Sequence, residues 1–366
     1  MRLVRVLAVL GVIAAGIVGW VWTAWEAAGP AARAGAETVI LIPARSRTHD
    51  TALILENKGV IRHAILFELG ARLNGVASRL KAGEYTIPSG ASMAGIAAIL
   101  VEGRAIQHKL TAAEGLTSEM IWKLVKADPV LVGDAGPMPA EGSLLPETYL
   151  FTRGQTRRAL LAQMARARDR ILESLWDKRA DGLPFQSPRE AVILASIVEK
   201  ETRLPEERPH VAAVFINRLR NGMKLQTDPT IIYDLTRGYP LGRGIRQSEL
   251  VAATPHNTYV IEGLPPGPIC NPGKDAIAAV LHPLASSDLY FVATGKGGHA
   301  FAATNDEQAR NVAAYRAFER GYALPDSRPV EDNGRVENAA VPPPDTAAPR
   351  LKAGAARPAR RAHRSR

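Results

Sequence analysis

Residues 191–230 read AVILASIVEKETRLPEERPHVAAVFINRLRNGMKLQTDPT, and this stretch contains the strongest functional signal in the chain. Its first half has the periodicity of an α-helix, at ~100° per residue. The apolar stripe of that helix is formed by Ile193, Leu194, Ile197 and Val198. Glu201 falls near the middle of the stripe, whereas Glu199 points to the opposite face. The pattern therefore predicts one acidic side chain on the buried side of the helix.

A carboxylate on a buried helix face is costly unless it is paired or protonated, so its pKa should rise. A raised pKa lets a general acid keep its proton near neutral pH. Periodicity alone equally allows the helix to end here, with Glu201 as a surface cap or ion-pair partner. The following run favours the functional interpretation: Gln226, Thr227, Asp228 and Pro229 form a polar, turn-prone segment that can line a cleft.

Composition excludes several classes of protein. The 366 residues allow two domains plus appendages, and the net charge is +10. Seven basic residues and no acidic one follow Asp345, so the rest of the chain carries only +3. The basic character thus belongs mainly to a tail, which argues against nucleic acid as a partner. Cys270 is the only cysteine, which excludes an intramolecular disulfide and disfavours cysteine-ligated zinc.

The N-terminus predicts a membrane anchor. Residues 1–5 contain Arg2 and Arg5, and residues 6–25 carry no charge, a length that spans a ~30 Å hydrocarbon core. Trp20, Trp22 and Trp25 would form the interfacial aromatic belt at its far end. The positive-inside rule places the N-terminus in the cytoplasm and the remaining chain outside the inner membrane. A cleaved signal peptide is the alternative, because small residues follow the apolar run at Ala27, Ala28 and Ala32.

The remaining pattern predicts an α+β protein with a small αβ module at 37–106, a larger catalytic domain at 107–324 and a disordered tail at 325–366. In the module we expect a strand at Thr38–Ile42, helices at Thr51–Lys58 and Ile61–Leu73, a strand after Gly83, and a helix at Met93–Glu102. Ser92 is the predicted cap of that last helix. The module could bind carbohydrate or could simply hold the larger domain away from the membrane.

The larger domain adds several polar candidates. Glu147 lies in EGSLLPETYLF, a turn that leads into a short apolar run, and a surface turn is its simplest interpretation. Asn257 and Tyr259 lie in a glycine- and proline-rich loop. His299 follows a strand and two glycines, a position typical of a hairpin, and is either a structural donor or a substrate contact. We also expect helices at 117–127, 157–179 and 305–319.

Four runs in this order resemble the endolytic murein transglycosylases, the MltG or YceG-like family. They are LASIVEKET, VFINRLRNGMKLQTDPTIIYDL, NTYVIEGLPPGPICNPG and YFVATGKGGHAF. The resemblance extends from the N-terminal anchor to about Tyr322. It implies a LysM-like N-terminal module and places the catalytic glutamate at the second acid of E-K-E-T, which is Glu201. The loop from 234 to 249 and the basic tail depart from the family pattern.

The resemblance also implies a set of substrate contacts. They are Gln226, Thr227 and Asp228 of Q-T-D-P, Asn257 and Tyr259 of N-T-Y, and Glu147 after Pro146, with His299 as a further candidate. The implied reaction is lyase cleavage of the MurNAc-β-1,4-GlcNAc bond of nascent peptidoglycan, which leaves 1,6-anhydroMurNAc ends and limits strand length. We expect no metal and no cofactor, since the sequence has no P-loop, dinucleotide fingerprint or H-E-x-x-H motif.

Two other functions remain compatible with the sequence. One is a muramidase with Asp228 as the second carboxylate, and the other is a non-catalytic protein that binds the wall through the LysM-like module. The family also suggests peptidoglycan synthases of the elongation machinery as partners.

Overall fold

The computed structural model describes residues 11–12, 16, 19–33 and 35–322. Much of the predicted span at 6–25 and the whole predicted tail at 325–366 therefore lie outside the described residues. Within them, no helix is both long and apolar enough to cross a membrane. The described chain mixes helices with three small antiparallel sheets, which confirms the predicted α+β class.

The N-terminal unit is a βααβ arrangement followed by one more helix. Its elements are β1 (Glu37–Ile42), α1 (Thr48–Asn57), α2 (Ala64–Leu73), β2 (Gly83–Pro88) and α3 (Met93–Glu102). β1 and β2 pair antiparallel in the register Glu37↔Pro88. The predicted cap of α3 is confirmed, because the Ser92 side chain accepts the Gly95 N–H. This unit has its own hydrophobic core, which includes Ile40, Leu55, Phe67, Tyr85 and Leu100.

Trp25 belongs to that core. Its ring lies 5.6 Å from the ring of Phe67, and the residue is only 4% exposed. Gly70 of α2 makes room for it, because a Cβ at this position would lie 2.2 Å from the indole. Trp20 and Trp22 are each 59% exposed. Of the three tryptophans predicted to form an interfacial belt, Trp25 therefore packs against protein, and only the other two are free to meet an interface.

The second unit comprises β3 (His108–Thr111), α4 (Ser118–Ala127), β4 (Thr148–Phe151) and α5 (Arg157–Trp176). β3 and β4 pair antiparallel in the register His108↔Phe151. Glu84 of β2 joins this unit to the first one, because it lies 2.7 Å from His108 and 2.9 Å from Arg153.

The third unit is mostly helical. It contains α6 (Pro188–Glu201), α7 (Arg208–Arg220), α8 (Asp228–Thr236), α9 (Gln247–Leu250), α10 (Lys274–Leu281), the hairpin of β5 (Tyr290–Ala293) and β6 (His299–Ala302), and α11 (Asn305–Tyr322). α6 is its central element and begins with a capping box between Ser187 and Glu190. α7, α8 and α10 pack around α6, and every residue from 191 to 198 is buried. Burial on all sides exceeds the single apolar stripe that the sequence predicts.

Candidate active site

Glu201 is the last residue of α6 and faces the start of α8. The chain becomes extended at Thr202, with φ −135° and ψ 138°, so the helix ends immediately after the glutamate. The Thr227 hydroxyl donates a short hydrogen bond to Glu201 Oε1. Two runs that the sequence analysis singled out separately, E-K-E-T and Q-T-D-P, therefore meet through a direct side-chain contact.

The environment of Glu201 suits a proton carrier. Burial raises the pKa of its carboxyl from 4.5 to about 7, because desolvation penalises the ionised form. The hydrogen bond from Thr227 and the charge of Arg218 oppose this rise, whereas the negative charge of Asp228 adds to it. A carboxyl group with a pKa near neutrality can both donate and accept a proton at physiological pH.

Asp228 is paired with the next candidate residue. The Tyr259 hydroxyl donates a hydrogen bond of 2.6 Å to Asp228 Oδ1. Burial raises the pKa of Asp228, and the bond from Tyr259 partly offsets that rise. Burial also raises the pKa of the Tyr259 phenol, and the neighbouring negative charges of Asp228 and Glu201 add to this effect. Asp228 and Tyr259 thus form a hydrogen-bonded pair whose charge acts on Glu201.

Hydrogen bonds join the Q-T-D-P loop to the loop that contains Thr258 and Tyr259. Gln226 donates its N–H to the Thr258 carbonyl at 3.1 Å, and Thr227 donates its N–H to Thr258 Oγ1 at 3.0 Å. Gln226 has φ 50°, a left-handed conformation that is uncommon outside glycine. Such strain persists only when surrounding contacts hold it, and here the Thr258 bonds hold the loop.

Arg218 is a site residue that the sequence analysis missed. It is 2% exposed, and its guanidinium donates to the carbonyls of Lys224 and Leu225, both at 3.1 Å, and to Gln226 Oε1 at 3.3 Å. Its Nε also donates to the Leu289 carbonyl at 2.7 Å, and burial lowers its pKa. Arg218 therefore ties α7, the loop before α8 and the β5 edge together, and it places a buried positive charge near Glu201.

A sequence signal for Arg218 does exist. Val211, Phe215 and Arg218 follow the i, i+4, i+7 spacing of one helix face, and all three are buried. A charged side chain on an apolar helix stripe is costly to bury unless it has specific partners, and this is the same signal that identifies Glu201.

Asn257 lies in the site loop but faces inward. It is fully buried, and its Nδ2 donates to the carbonyls of Glu249, Leu250 and Ala252. Its Oδ1 accepts the Tyr259 N–H at 3.0 Å. With these bonds the side chain shapes the loop that presents Tyr259, and it offers no exposed atom to a substrate. The substrate contact expected of Asn257 is therefore replaced by a positioning role.

His299 contacts Glu207, which in turn contacts the residue that follows Glu201. Its Nδ1 lies 2.7 Å from Glu207 Oε2, and the same oxygen accepts the Thr202 hydroxyl at 3.2 Å. Thr202 directly follows Glu201, so the contact between Thr202 and the Glu207–His299 pair holds the chain in place at the end of α6. The structure therefore links His299 to the end of α6 through Glu207 and Thr202, and the described residues show no hydrogen bond between His299 and the Glu201 carboxyl.

Glu147 is not brought to the other candidates. It is exposed, and its side chain makes no hydrogen bond or ion pair with the described residues. The partly buried acid of this motif is instead Glu141, whose carboxylate accepts hydrogen bonds from the Ser118 N–H at 2.8 Å and from the Tyr233 hydroxyl at 3.3 Å. Burial raises the pKa of Glu141. The first acid of EGSLLPETYLF is thus the one that joins the second and third units.

Glu199 lies on a different side of α6 from Glu201, as the helical wheel predicts. It is nevertheless not solvated, because its side chain is 5% exposed and lies 3.4 Å from Arg208 Nη2. It also accepts the Gly273 N–H at 2.9 Å, and burial raises its pKa. Within the described part of the chain, no three His, Cys, Asp or Glu side chains are grouped so as to hold a metal ion.

Comparison with known proteins agrees with the resemblance in the sequence. Residues 40–314 match the YceG-like family. The chain is 29% identical to the endolytic murein transglycosylase of Streptococcus pneumoniae strain D39, over 75% of this chain and 57% of that protein. It is 30% identical to the endolytic murein transglycosylase of Bacillus subtilis, over 71% of each.

The chain thus spans little more than half the length of the pneumococcal relative, 57%. A crystal structure of a YceG-like protein from Listeria monocytogenes is 30% identical, with 75% of this chain and 98% of that chain covered and a TM-score of 0.47. The family match contains Glu201, the Q-T-D-P loop and the Tyr259 loop. The chain belongs to the YceG-like family.

Proposed function

We infer that the chain is an endolytic lytic transglycosylase that cleaves the MurNAc-β-1,4-GlcNAc bond of peptidoglycan and so limits glycan strand length. One observation carries this proposal: Glu201, the acid to which the sequence resemblance assigns catalysis, has a carboxyl with a pKa of about 7 and accepts a hydrogen bond from the Thr227 hydroxyl. The names of the relatives from S. pneumoniae and B. subtilis support the same activity.

The proposed mechanism uses Glu201 twice. As an acid, its carboxyl donates a proton to the departing O4 of GlcNAc while the C1–O4 bond of MurNAc breaks through an oxocarbenium-like state. As a base, the resulting carboxylate accepts the proton of the C6 hydroxyl while O6 forms a bond to C1. The proton balance closes, no water is consumed, and the product is a 1,6-anhydro ring.

The neighbours of Glu201 have supporting roles in this scheme. Thr227 orients the carboxyl, and the buried Arg218 stabilises the carboxylate that exists between the two steps. Asp228 accepts a hydrogen bond from the Tyr259 hydroxyl on Oδ1. The negative charge of Asp228 can stabilise the positive charge that develops at C1 in the transition state. Tyr259 and Gln226 lie in the two loops that form the site, and their side chains make the remaining proposed contacts to the sugar.

The N-terminal unit and the N-terminal residues have separate proposed roles. The βααβ arrangement of β1, α1, α2 and β2 supports a LysM-like module that contacts glycan. Residues 6–25 are proposed to be a single-pass anchor in the inner membrane, with the N-terminus cytoplasmic and the catalytic domain periplasmic. Synthases of the elongation machinery are the proposed protein partners.

The assignment of Glu201 is tested by cleavage of isolated peptidoglycan strands. We expect Glu201→Gln to abolish release of soluble fragments, because a glutamine cannot donate or accept the proton. Glu206→Gln is the matched control: Glu206 is an exposed acid five residues further along, and its substitution should leave activity unchanged. Thermal melting checks that both variants are folded. Wild-type activity in Glu201→Gln would refute the proposal.

A further inference from the structure

A pocket lies at the C-terminal end of α6, on the side that carries Glu199 rather than Glu201. It encloses about 380 Å³ and is lined by Glu114, Gly115, Glu199, Lys200, Arg203 and Arg208. The C-terminal end of α6 and the turn after it thus border two polar sites. One holds Glu201, and the other has no part in the reaction proposed above.

The inner wall of this pocket is a buried ion network. Arg208, with a side chain only 8% exposed, lies 3.1 Å from Glu114, 3.4 Å from Glu199 and 3.6 Å from Asp275. Its Nε is buried and has no hydrogen-bond partner among the described residues. Buried polar atoms of this kind are uncommon in folded proteins, and they mark places that call for an explanation.

The rim of the pocket is different, because its cations are unpaired. Lys200 and Arg203 are exposed, and neither lies within 4.0 Å of a carboxylate in the described chain. The closest polar contact of Lys200 Nζ is the Gly115 carbonyl at 3.4 Å. Glu114 also reaches the rim, with a side chain that is 41% exposed. The opening therefore presents two free cations beside one accessible carboxylate.

This charge pattern fits a ligand that carries a carboxylate together with an amine. A carboxylate would bind between Lys200 and Arg203 through charge-assisted hydrogen bonds. An ammonium group would bind to Glu114, whose outer part is open to solvent. A neutral sugar ring offers no charged group to these three side chains.

The pocket is also close to the bond that Glu201 would cleave. Helical rise is ~1.5 Å per residue, so Glu199 and Glu201 are separated by only ~3 Å along the axis of α6. Arg203 follows Glu201 by two positions. A flexible substituent on a sugar bound at Glu201 would need to extend only around the end of one helix to enter the pocket.

We propose that this pocket binds the stem peptide of a muramic acid residue, with its carboxylate on Lys200 and Arg203 and its amine on Glu114. The proposal rests on the peptidoglycan substrate inferred above. It adds a specificity determinant: strands that carry peptides are recognised in preference to strands from which peptides have been removed.

The test measures binding by calorimetry to the full chain. The probes are GlcNAc–MurNAc carrying a tetrapeptide and the same disaccharide with its lactyl carboxyl capped as a methylamide, so that the second probe carries no charge. Neither contains the MurNAc–GlcNAc bond, so no catalysis is needed. We expect the peptide-bearing probe to bind at least about tenfold more tightly, which is the effect of about one charge-assisted contact. The combined substitution Lys200→Ala and Arg203→Ala removes the carboxylate contacts and leaves Glu114 in place, so it should markedly reduce that preference without changing the affinity for the capped disaccharide.

Lys178→Ala is the control, because Lys178 is an exposed cation outside the pocket and should leave the preference intact. Arg208 is retained in every variant, since its loss would leave buried Glu199 without a counter-charge. Equal binding of both probes by the wild type, or a preference that the double substitution leaves undiminished, would overturn the pocket assignment. Failure of the wild type to cleave strands would instead overturn the proposed function, so the two failures are distinguishable.

Discussion

Replacing Glu201 by glutamine should abolish cleavage and also stabilise the protein at high pH. The folded protein holds the carboxyl at a pKa of about 7, against an ordinary value of 4.5. Between those values the folded state binds more protons than the unfolded chain. Stability contributed by the neutral carboxyl is therefore present at low pH and is lost as pH rises through the folded pKa.

The size of this effect follows from the pKa difference. At ~1.4 kcal/mol per pKa unit, a rise from 4.5 to about 7 corresponds to about 3 kcal/mol of stability. Glutamine has the same shape but no charge to desolvate, so Glu201→Gln escapes this loss. The free energy of unfolding of the variant, minus that of the wild type, should increase by about 3 kcal/mol from about pH 4 to about pH 8.

Urea unfolding of both proteins at a series of pH values measures this difference directly. Other titrating groups cancel in the comparison because they are common to both proteins. Glu206→Gln serves as the control, since Glu206 is exposed and its variant should follow the wild type at each pH. A difference between Glu201→Gln and wild type that stays constant across the pH range would refute the environment assigned to Glu201.

Three further substitutions test the surroundings of the site and the N-terminal unit. Asp228→Asn removes a negative charge that raises the pKa of Glu201, so the basic limb of the pH profile of kcat/KM should move to lower pH. Asn271→Ala should lower the free energy of unfolding, measured in urea, by ~1–3 kcal/mol. Asn271 is fully buried, and its loss would leave the Leu144 N–H and the Leu116 carbonyl without their hydrogen-bond partner. Gly70→Val should displace Trp25 from its pocket, which a red shift of tryptophan emission would report and which unchanged emission would contradict.

The sequence predicted the elements of the fold well because their signals are local. The strands of the N-terminal unit, the cap at Ser92 and the hairpin before His299 all follow from periodicity and turn residues. Glu201 was identifiable for a related reason, since an acid on an apolar helix stripe is conspicuous.

What the sequence did not reveal depends on contacts between distant segments. The choice of Glu141 over Glu147 is set by Ser118 and Tyr233, which approach from other elements. Asn257 is a polar residue in a predicted loop, which made it a candidate substrate contact. Only the fold shows that its side-chain amide donates to backbone carbonyls inside the protein. The pairing of Glu199 with Arg208 likewise depends on how α6 and α7 pack, which no single helix pattern contains.

The central claim is that Glu201 serves as both acid and base while the substrate's own C6 hydroxyl attacks. Mass spectrometry of the glycan ends formed by the wild type in ¹⁸O-labelled water tests it most directly. The account predicts 1,6-anhydroMurNAc ends that are one water lighter than reducing ends and carry no ¹⁸O, and it predicts no new ends with Glu201→Gln. Reducing MurNAc ends labelled with ¹⁸O would contradict it, because they would show that water attacks C1 and that a second carboxylate such as Asp228 takes part.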